Sequence, residues 1–240
     1  MKYFVSADIH GFYDEWITAL QEKGFDINNP EHKIIVCGDL FDRGRQPKQI
    51  IDFILSNKDK FILIRGNHED LMEEMIERNS ATFGDLSNGT SYTIVDLYPE
   101  WLISEFNLSK IAKETRLQEI LDMCVDYFET EQYIFVHGWI PIIENCYLYD
   151  SEWRTARKDR WNKARWTRPI DMLEYEIFEP NKTIVCGHWH CSAFWRFNYP
   201  DKYDEFGEKE NFEPFITENV IALDTCTVHT RKVNVVILED

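Results

Sequence analysis

A chain whose short apolar runs keep ending on aspartate, histidine or asparagine can fold into few things. Here the runs are Lys2–Ala7, Lys33–Cys37, Lys60–Ile64, Gln132–Val136, Lys182–Cys186, Asn219–Leu223 and Lys232–Leu238. They are rich in β-branched and aromatic residues, and their lengths suit buried strands better than helices. The residues just past the first six runs are the informative ones. Asp8-Ile9-His10-Gly11 comes after the first run, and Gly38-Asp39-Leu40-Phe41-Asp42-Arg43-Gly44 after the second. Arg65-Gly66-Asn67-His68-Glu69 comes after the third, His137-Gly138 after the fourth, Gly187-His188-Trp189-His190 after the fifth, and Asp224-Thr225 after the sixth. Ligands of open α/β sheets gather at the carboxyl ends of the strands. The pattern therefore predicts one sheet edge crowded with polar, metal-capable side chains.

Helical patterns separate the early runs. Phe12–Glu22 carries Trp16, Ile17 and Leu20 at helical spacing, with Gly24 beyond it as a stop. Pro47–Ser56 begins on a proline suited to a first helical turn, and Asp70–Asn79 is a third helix. Strand alternating with helix predicts an α/β sandwich. Residues 80–130 break the rhythm and predict a helical insertion within a single domain spanning 1–240. The Trp- and Arg-rich stretch 150–180 predicts one helix and a loop, and 195–215 a long surface loop.

The formal net charge of −17 repels nucleic-acid backbones and anionic membranes, so bulk nucleic-acid binding and a membrane partner are not expected. An anionic substrate would need a local positive site, which bound cations can supply. The six cysteines are scattered without a Cys-x-x-Cys pair, as expected for free thiols in a reducing compartment. The opening residues reach charge quickly and no apolar run approaches membrane-spanning length, so a cytoplasmic location is expected.

Aspartate and histidine are the oxygen and nitrogen ligands of Mn, Fe, Zn and similar ions. Two ions roughly 3.5–4 Å apart require a bridging carboxylate, and a carboxylate can share its two oxygens where an imidazole cannot. Taken singly each motif is weak: Asp-x-His can cap a turn, and Gly-Asn-His can be a loop. The ordered set is another matter. Asp-Ile-His-Gly, Gly-Asp-Leu-Phe-Asp-Arg-Gly, Arg-Gly-Asn-His-Glu, His-Gly and Gly-His-Trp-His together resemble the calcineurin-like metallophosphoesterase superfamily. Within it they look most like the phosphoprotein phosphatase family, in its bacterial and phage branch. The resemblance runs from Asp8 to Asp224.

It implies an α/β fold of the metallophosphoesterase type, a β-sandwich of two mixed sheets flanked by helices. It implies two divalent cations, manganese first, with Fe, Zn, Ni or Co as alternatives. Asp8 and His10 would bind the first, Asp39 would bridge, and Asn67, His137 and His188 would bind the second. His68 would be the general acid, held by Asp42, and Arg43 would bind phosphate. A bridging hydroxide would attack phosphorus without a covalent phosphoenzyme. Some features depart from the family. His190 is an extra histidine, either a further ligand of the first metal, as in the wider superfamily, or a surface residue. The second phosphate-binding arginine falls near Arg165 and Arg168 without a fixed register, and an arginine stacked on tryptophan competes with that reading. The substrate implied is a phosphorylated protein or small phosphate ester, in particular phosphoserine or phosphothreonine. The alternative is a symmetric dinucleoside tetraphosphate hydrolase, whose branch also resembles Gly-His-Trp.

Overall fold

The side chains of Phe4 and Val5, adjacent in strand β1 (Lys2–Ser6) and both fully buried, point opposite ways. Phe4 joins Ile34, Val36 and Leu63 beneath a layer of helices. Val5 joins Ile35, Ile64, Phe135 and Val185 in a separate cluster drawn from both sheets. This period-two alternation of residues apolar on both faces produces the layers: helices, sheet, sheet, helices. The molecule is a computed structural model that describes residues 1–100, 107–143 and 147–240.

In the first sheet β1, β2 (His32–Cys37), β3 (Phe61–Ile64) and β4 (Cys124–Val125) are parallel neighbours, and β10 (Val236–Glu239) closes the edge antiparallel to β1, giving the order β10-β1-β2-β3-β4. The second sheet contains β5 (Phe128–Glu129), β6 (Tyr133–Phe135), β7 (Thr183–Cys186), β8 (Phe215–Ile216) and β9 (Val220–Ala222) in the order β5-β6-β7-β9-β8. Its three central strands are parallel and its edge strands antiparallel. Both sheets are thus mixed, as expected. Helices α1 (Tyr13–Glu22), α2 (Pro47–Ser56) and α3 (Asn67–Arg78) cover the first sheet through Trp16, Leu20, Ile50, Ile54, Met72 and Met75. The same layer includes the insertion helices α4 (Phe83–Asn88), α5 (Thr90–Leu97), α6 (Leu108–Glu114) and α7 (Leu117–Met123). Helices α8 (Lys158–Trp166), α9 (Pro169–Glu174) and α10 (Cys191–Asn198) cover the second sheet, and α11 (Thr227–Thr230) precedes the last strand.

Some local expectations need correction. The stretch 150–180 holds two α-helices rather than one, because Pro169 restarts the chain as the first residue of α9. The stretch 195–215 is not all loop: α10 runs to Asn198, anchored by buried Phe194, and Phe215 enters β8. Among the described residues, the stretch expected as an insertion holds four helices up to Met123, and the chain then supplies one short strand to each sheet. Helix α3 begins at Asn67, three residues early, because the Glu69 carboxylate accepts the Gly66 amide (2.8 Å) and caps the turn. Cys37, Cys124, Cys186, Cys191 and Cys226 are free thiols, and Cys146 lies outside the described residues. Residues 101–106 of the expected insertion lie outside them too. Among the described residues no helix is long and apolar enough to cross a membrane.

Candidate active site

The loops that leave β1 and β2 are stitched together. The amides of Asp8, His10 and Gly11 donate to the carbonyls of Gly38, Asp39 and Leu40, and Gly44 donates back to His10. These bonds hold an unusual backbone. Asp8, His10, Asp39, Asp42 and His188 all sit at positive φ, between 50 and 90°. That conformation costs an ordinary residue about 1–2 kcal/mol, and such strain concentrates at functional sites. Gly38 (φ +81°) has a different reason to be small: a Cβ there would lie 2.4 Å from the His137 ring nitrogen, so the second sheet's histidine packs directly onto its backbone.

Asp39 is the hinge of the arrangement. It is buried, and the amides of Asp39 and Leu40 donate to Glu69, while the His68 amide donates to Asp39 Oδ1 (3.1 Å). Its two oxygens face different partners. Oδ1 lies 3.4 Å from His137 Nε2, and Oδ2 lies 3.7 Å from His10 Nε2 and 3.9 Å from His68 Nε2. Two ion-sized groups result, His10–Asp39–His68 and Asp39–His137–His188, with ligand atoms all within 4.8 Å of one another in each. Asn67 Oδ1 lies between His137 Nε2 (2.7 Å) and His188 Nδ1 (3.0 Å).

The histidines divide by what holds them. His10 Nδ1 donates to the Phe41 carbonyl and His137 Nδ1 to the Cys37 carbonyl, each at 2.8 Å, because a carbonyl can only accept. His188 likewise bonds the Trp166 backbone. In each case the other ring nitrogen is left with its lone pair toward the centre, the arrangement a metal-binding imidazole requires. Burial pushes all three below the usual imidazole range, His188 to about 4, so they are neutral. His68 differs. Its Nδ1 meets the buried carboxylate of Asp42 at 2.8 Å. Burial works to lower this ring too, but Asp39 and Asp42 outweigh it and raise His68 to about 9. So held, His68 turns Nε2 toward the centre, where it lies within the first group.

Asp8 stands beside the groups and in neither. It is buried, its carboxylate accepts the His188 amide at 3.0–3.1 Å, and burial, Asp224 and Asp39 drive its pKa well up. Asp39 and Asp224 both oppose the ionisation of buried Asp8, a mismatch that divalent cations would relieve. The donor set thus fits the cations that the sequence implied.

The remaining candidates are placed unevenly. Arg43 is exposed at the mouth, with Nη1 3.3 Å from the Ser87 carbonyl. His190 is brought into neither group: its Nε2 meets Glu205 Oε1 at 2.9 Å and its ring stacks on Trp189. Arg165 is not available to a substrate. It is 2% exposed, and its guanidinium is taken up by Asp70 (2.6 Å), Asp126 (2.7 Å) and Asn162 (2.6 Å). Replacing Arg165 with methionine should therefore cost about 3 kcal/mol of stability, the low end for breaking a buried pair, because Arg65 still serves Asp70. Chemical denaturation measures this; unchanged stability with a raised KM would return Arg165 to the substrate site. Arg168 stacks its guanidinium on Trp189, 4.4 Å from the ring centroid, and is half exposed. Glu69 is legible in the sequence only as the last residue of its motif, and its work of fixing the Asp39 loop emerges from the fold. The Thr90 and Thr93 hydroxyls, bonded to Asp42 at 3.0 and 2.7 Å, carry no sequence signal.

The sandwich of two mixed sheets thus gathers acid, histidine and asparagine side chains at its strand ends. A family model for calcineurin-like phosphoesterases matches residues 1–192, and the chain belongs to that family of metal-dependent phosphoesterases, which hold two divalent cations. Among curated proteins it is similar to the asymmetrical bis(5'-nucleosyl)-tetraphosphatase PrpE of Bacillus subtilis (strain 168), 32% identical over 87 residues, covering 33% of this chain and 36% of that one. It is also similar to the symmetrical bis(5'-nucleosyl)-tetraphosphatase of Buchnera aphidicola subsp. Acyrthosiphon pisum (strain Tuc7), 34% identical over 67 residues, covering 28% and 23%. The match therefore spans only about a quarter to a third of those relatives. Among solved structures, a putative diadenosine tetraphosphatase aligns with a TM-score of 0.55 at 14% identity, over 99% of this chain and 89% of that one. The cold-active protein-tyrosine phosphatase of a psychrophilic Shewanella species aligns with a TM-score of 0.56 at 18% identity, over 100% and 75%. Identities this low establish a shared fold.

Proposed function

We propose that this phosphoesterase hydrolyses phosphate monoesters, with phosphoserine and phosphothreonine side chains as the substrate class. The observation that carries the reading is the placement of His68, whose Nδ1 meets Asp42 at 2.8 Å and whose Nε2 lies 3.9 Å from the shared carboxylate Asp39. His10, Asp39, Asn67, His137 and His188 would hold the two cations, with Asp8 completing the first. When bound, the cations supply Lewis-acid activation of water and neutralise phosphoryl charge; manganese is the first candidate. The chain's own residues do the rest. Arg43 offers a forked set of donors to the phosphoryl oxygens at the mouth. His68 Nε2 passes its proton to the departing ester oxygen, and Asp42 stabilises the imidazolium until then. No thiol is needed: burial raises Cys37, Cys186 and Cys191 far above neutrality.

A second reading, a dinucleoside tetraphosphate hydrolase, is favoured by one feature beside His188. The half-exposed ring of Trp166 stands edge-on to His188 at 6.0 Å and borders a pocket of about 330 Å³ that includes Arg160 and Arg168. An aromatic face beside arginines suits a nucleobase and its phosphates. The discriminating experiment compares a phosphoserine peptide, diadenosine tetraphosphate and a cyclic nucleotide, each with Mn²⁺. The first reading expects the highest kcat/KM on the peptide; a large preference for the dinucleotide would replace it with the second. In the second case Trp166→Ala should raise KM for the dinucleotide about tenfold, since base stacking contributes roughly 1–3 kcal/mol. KM for p-nitrophenyl phosphate should stay within about twofold. Equal changes for both substrates would remove Trp166 from nucleotide binding.

A further inference from the structure

We infer that Thr90 and Thr93, at the start of α5 in the helical insertion, are positioning residues for His68. They fix Asp42 so that its carboxylate grips Nδ1 and directs Nε2 into the site. The inference rests on the reading of His68 as proton donor and extends it to residues far away in sequence.

Three side chains meet on one buried carboxylate. Asp42 Oδ2 accepts from His68 Nδ1 (2.8 Å) and from Thr90 Oγ1 (3.0 Å), and Oδ1 accepts from Thr93 Oγ1 (2.7 Å). Thr93 Oγ1 also accepts the Asp42 amide at 3.0 Å, so one hydroxyl fastens both the backbone and the side chain of the same residue. That fastening matters because Asp42 sits at φ 90°, a sparsely populated conformation that its surroundings must hold in place. The insertion also presses on Asp42 from behind. Gly89 (φ +89°) lies so close that a Cβ there would come within 1.8 Å of the Asp42 carbonyl oxygen. Arg43 Nη1 reaches the Ser87 carbonyl, and Arg45 reaches Asp96 at 3.0 Å. The whole Asp42–Arg45 turn is therefore strapped to α4 and α5. Both threonines are buried (0 and 2% exposed), so water does not compete for Asp42. A carboxylate that lost one of these donors would be held less firmly, and the imidazole it orients would lose aim with it.

The test separates aim from folding. Two substrates share a phosphoryl group but differ in how much their leaving oxygen needs a proton: p-nitrophenyl phosphate needs it less, phenyl phosphate more. Thr93→Val should lower kcat on phenyl phosphate about tenfold more than on p-nitrophenyl phosphate, with KM nearly unchanged, the rate equivalent of one charge-assisted hydrogen bond. Thr93→Ser should restore the wild-type ratio. In a His68→Asn background Thr93→Val should add no further leaving-group dependence, because the two changes act through one proton. An equal loss on both substrates, in step with a lowered Tm, would overturn the inference while leaving His68 as the acid. If His68→Asn itself left the leaving-group dependence unchanged, the acid assignment would fail and the inference with it.

Discussion

Replacing Asp39 with asparagine should cut turnover by about 10³-fold or more and leave the purified protein at least one metal ion short per chain. The size reflects the several kcal/mol of transition-state stabilisation that a cation contributes to phosphoryl transfer. The selectivity comes from geometry. The His68 amide needs an acceptor where Oδ1 now lies (3.1 Å), so the asparagine oxygen is drawn to that place. Its NH₂ must then stand at the Oδ2 position, facing His10 Nε2. The His10 side loses an oxygen ligand and gains two hydrogens, while the His137 side keeps an oxygen. Elemental analysis beside a steady-state assay measures both effects. Full metal content with near-normal turnover would show that Asp39 is no shared ligand.

The second large effect is expected from His68→Asn. Turnover should fall by roughly 10²–10⁴-fold, the contribution of a well-placed general acid, while metal content stays near wild type. The alternative is specific. His68 Nε2 lies close enough to Asp39 and His10 to belong to an ion-sized group, so a variant that also lost a cation would place His68 among the ligands. The Asp42 hydrogen bond orients the ring in either case, so the metal content of the variant decides between the two.

The residues legible in the sequence are those whose position depends on nothing but the strand they come after. Asp8, Asp39, Asn67, His137 and His188 each lie within a few residues of an apolar run, and the sheets bring those run ends together. Where a side chain's fate depends on a partner distant in the chain, the sequence is silent. Arg165 and Arg168 are three residues apart and alike in composition. Arg165, on α8, is taken up by Asp70, 95 residues away, whereas Arg168, the residue before α9, lies on Trp189. Thr90 and Thr93 reach Asp42 across 48 and 51 residues. His190 sits in a convincing motif, yet Glu205 in the loop beyond α10 engages it. The short strands β4 and β5 carry too few residues for any periodicity to show, and they form because a sheet edge is there to receive them. Helix α10 is hidden because Cys191–Asn198 mixes aromatic and polar residues beside a turn-rich stretch, and its burial against the second sheet decides its form.

The division of Asp39's two oxygens has a mechanical side. Oδ2 looks toward His10, which, like Asp39, belongs to the first sheet's loops. Oδ1 looks toward His137, just past β6, and His188, just past β7, completes that group from the same sheet. The group on the His137 side is thus assembled from both halves of the sandwich, and a cation held there is a crosslink between them. Its affinity and the cohesion of the two sheets are then linked quantities, since a ligand that binds only the folded chain stabilises it by RT ln(1 + [L]/Kd). The chemistry and the architecture would then share one fastening: an ion that serves the phosphate would also hold the two sheets together.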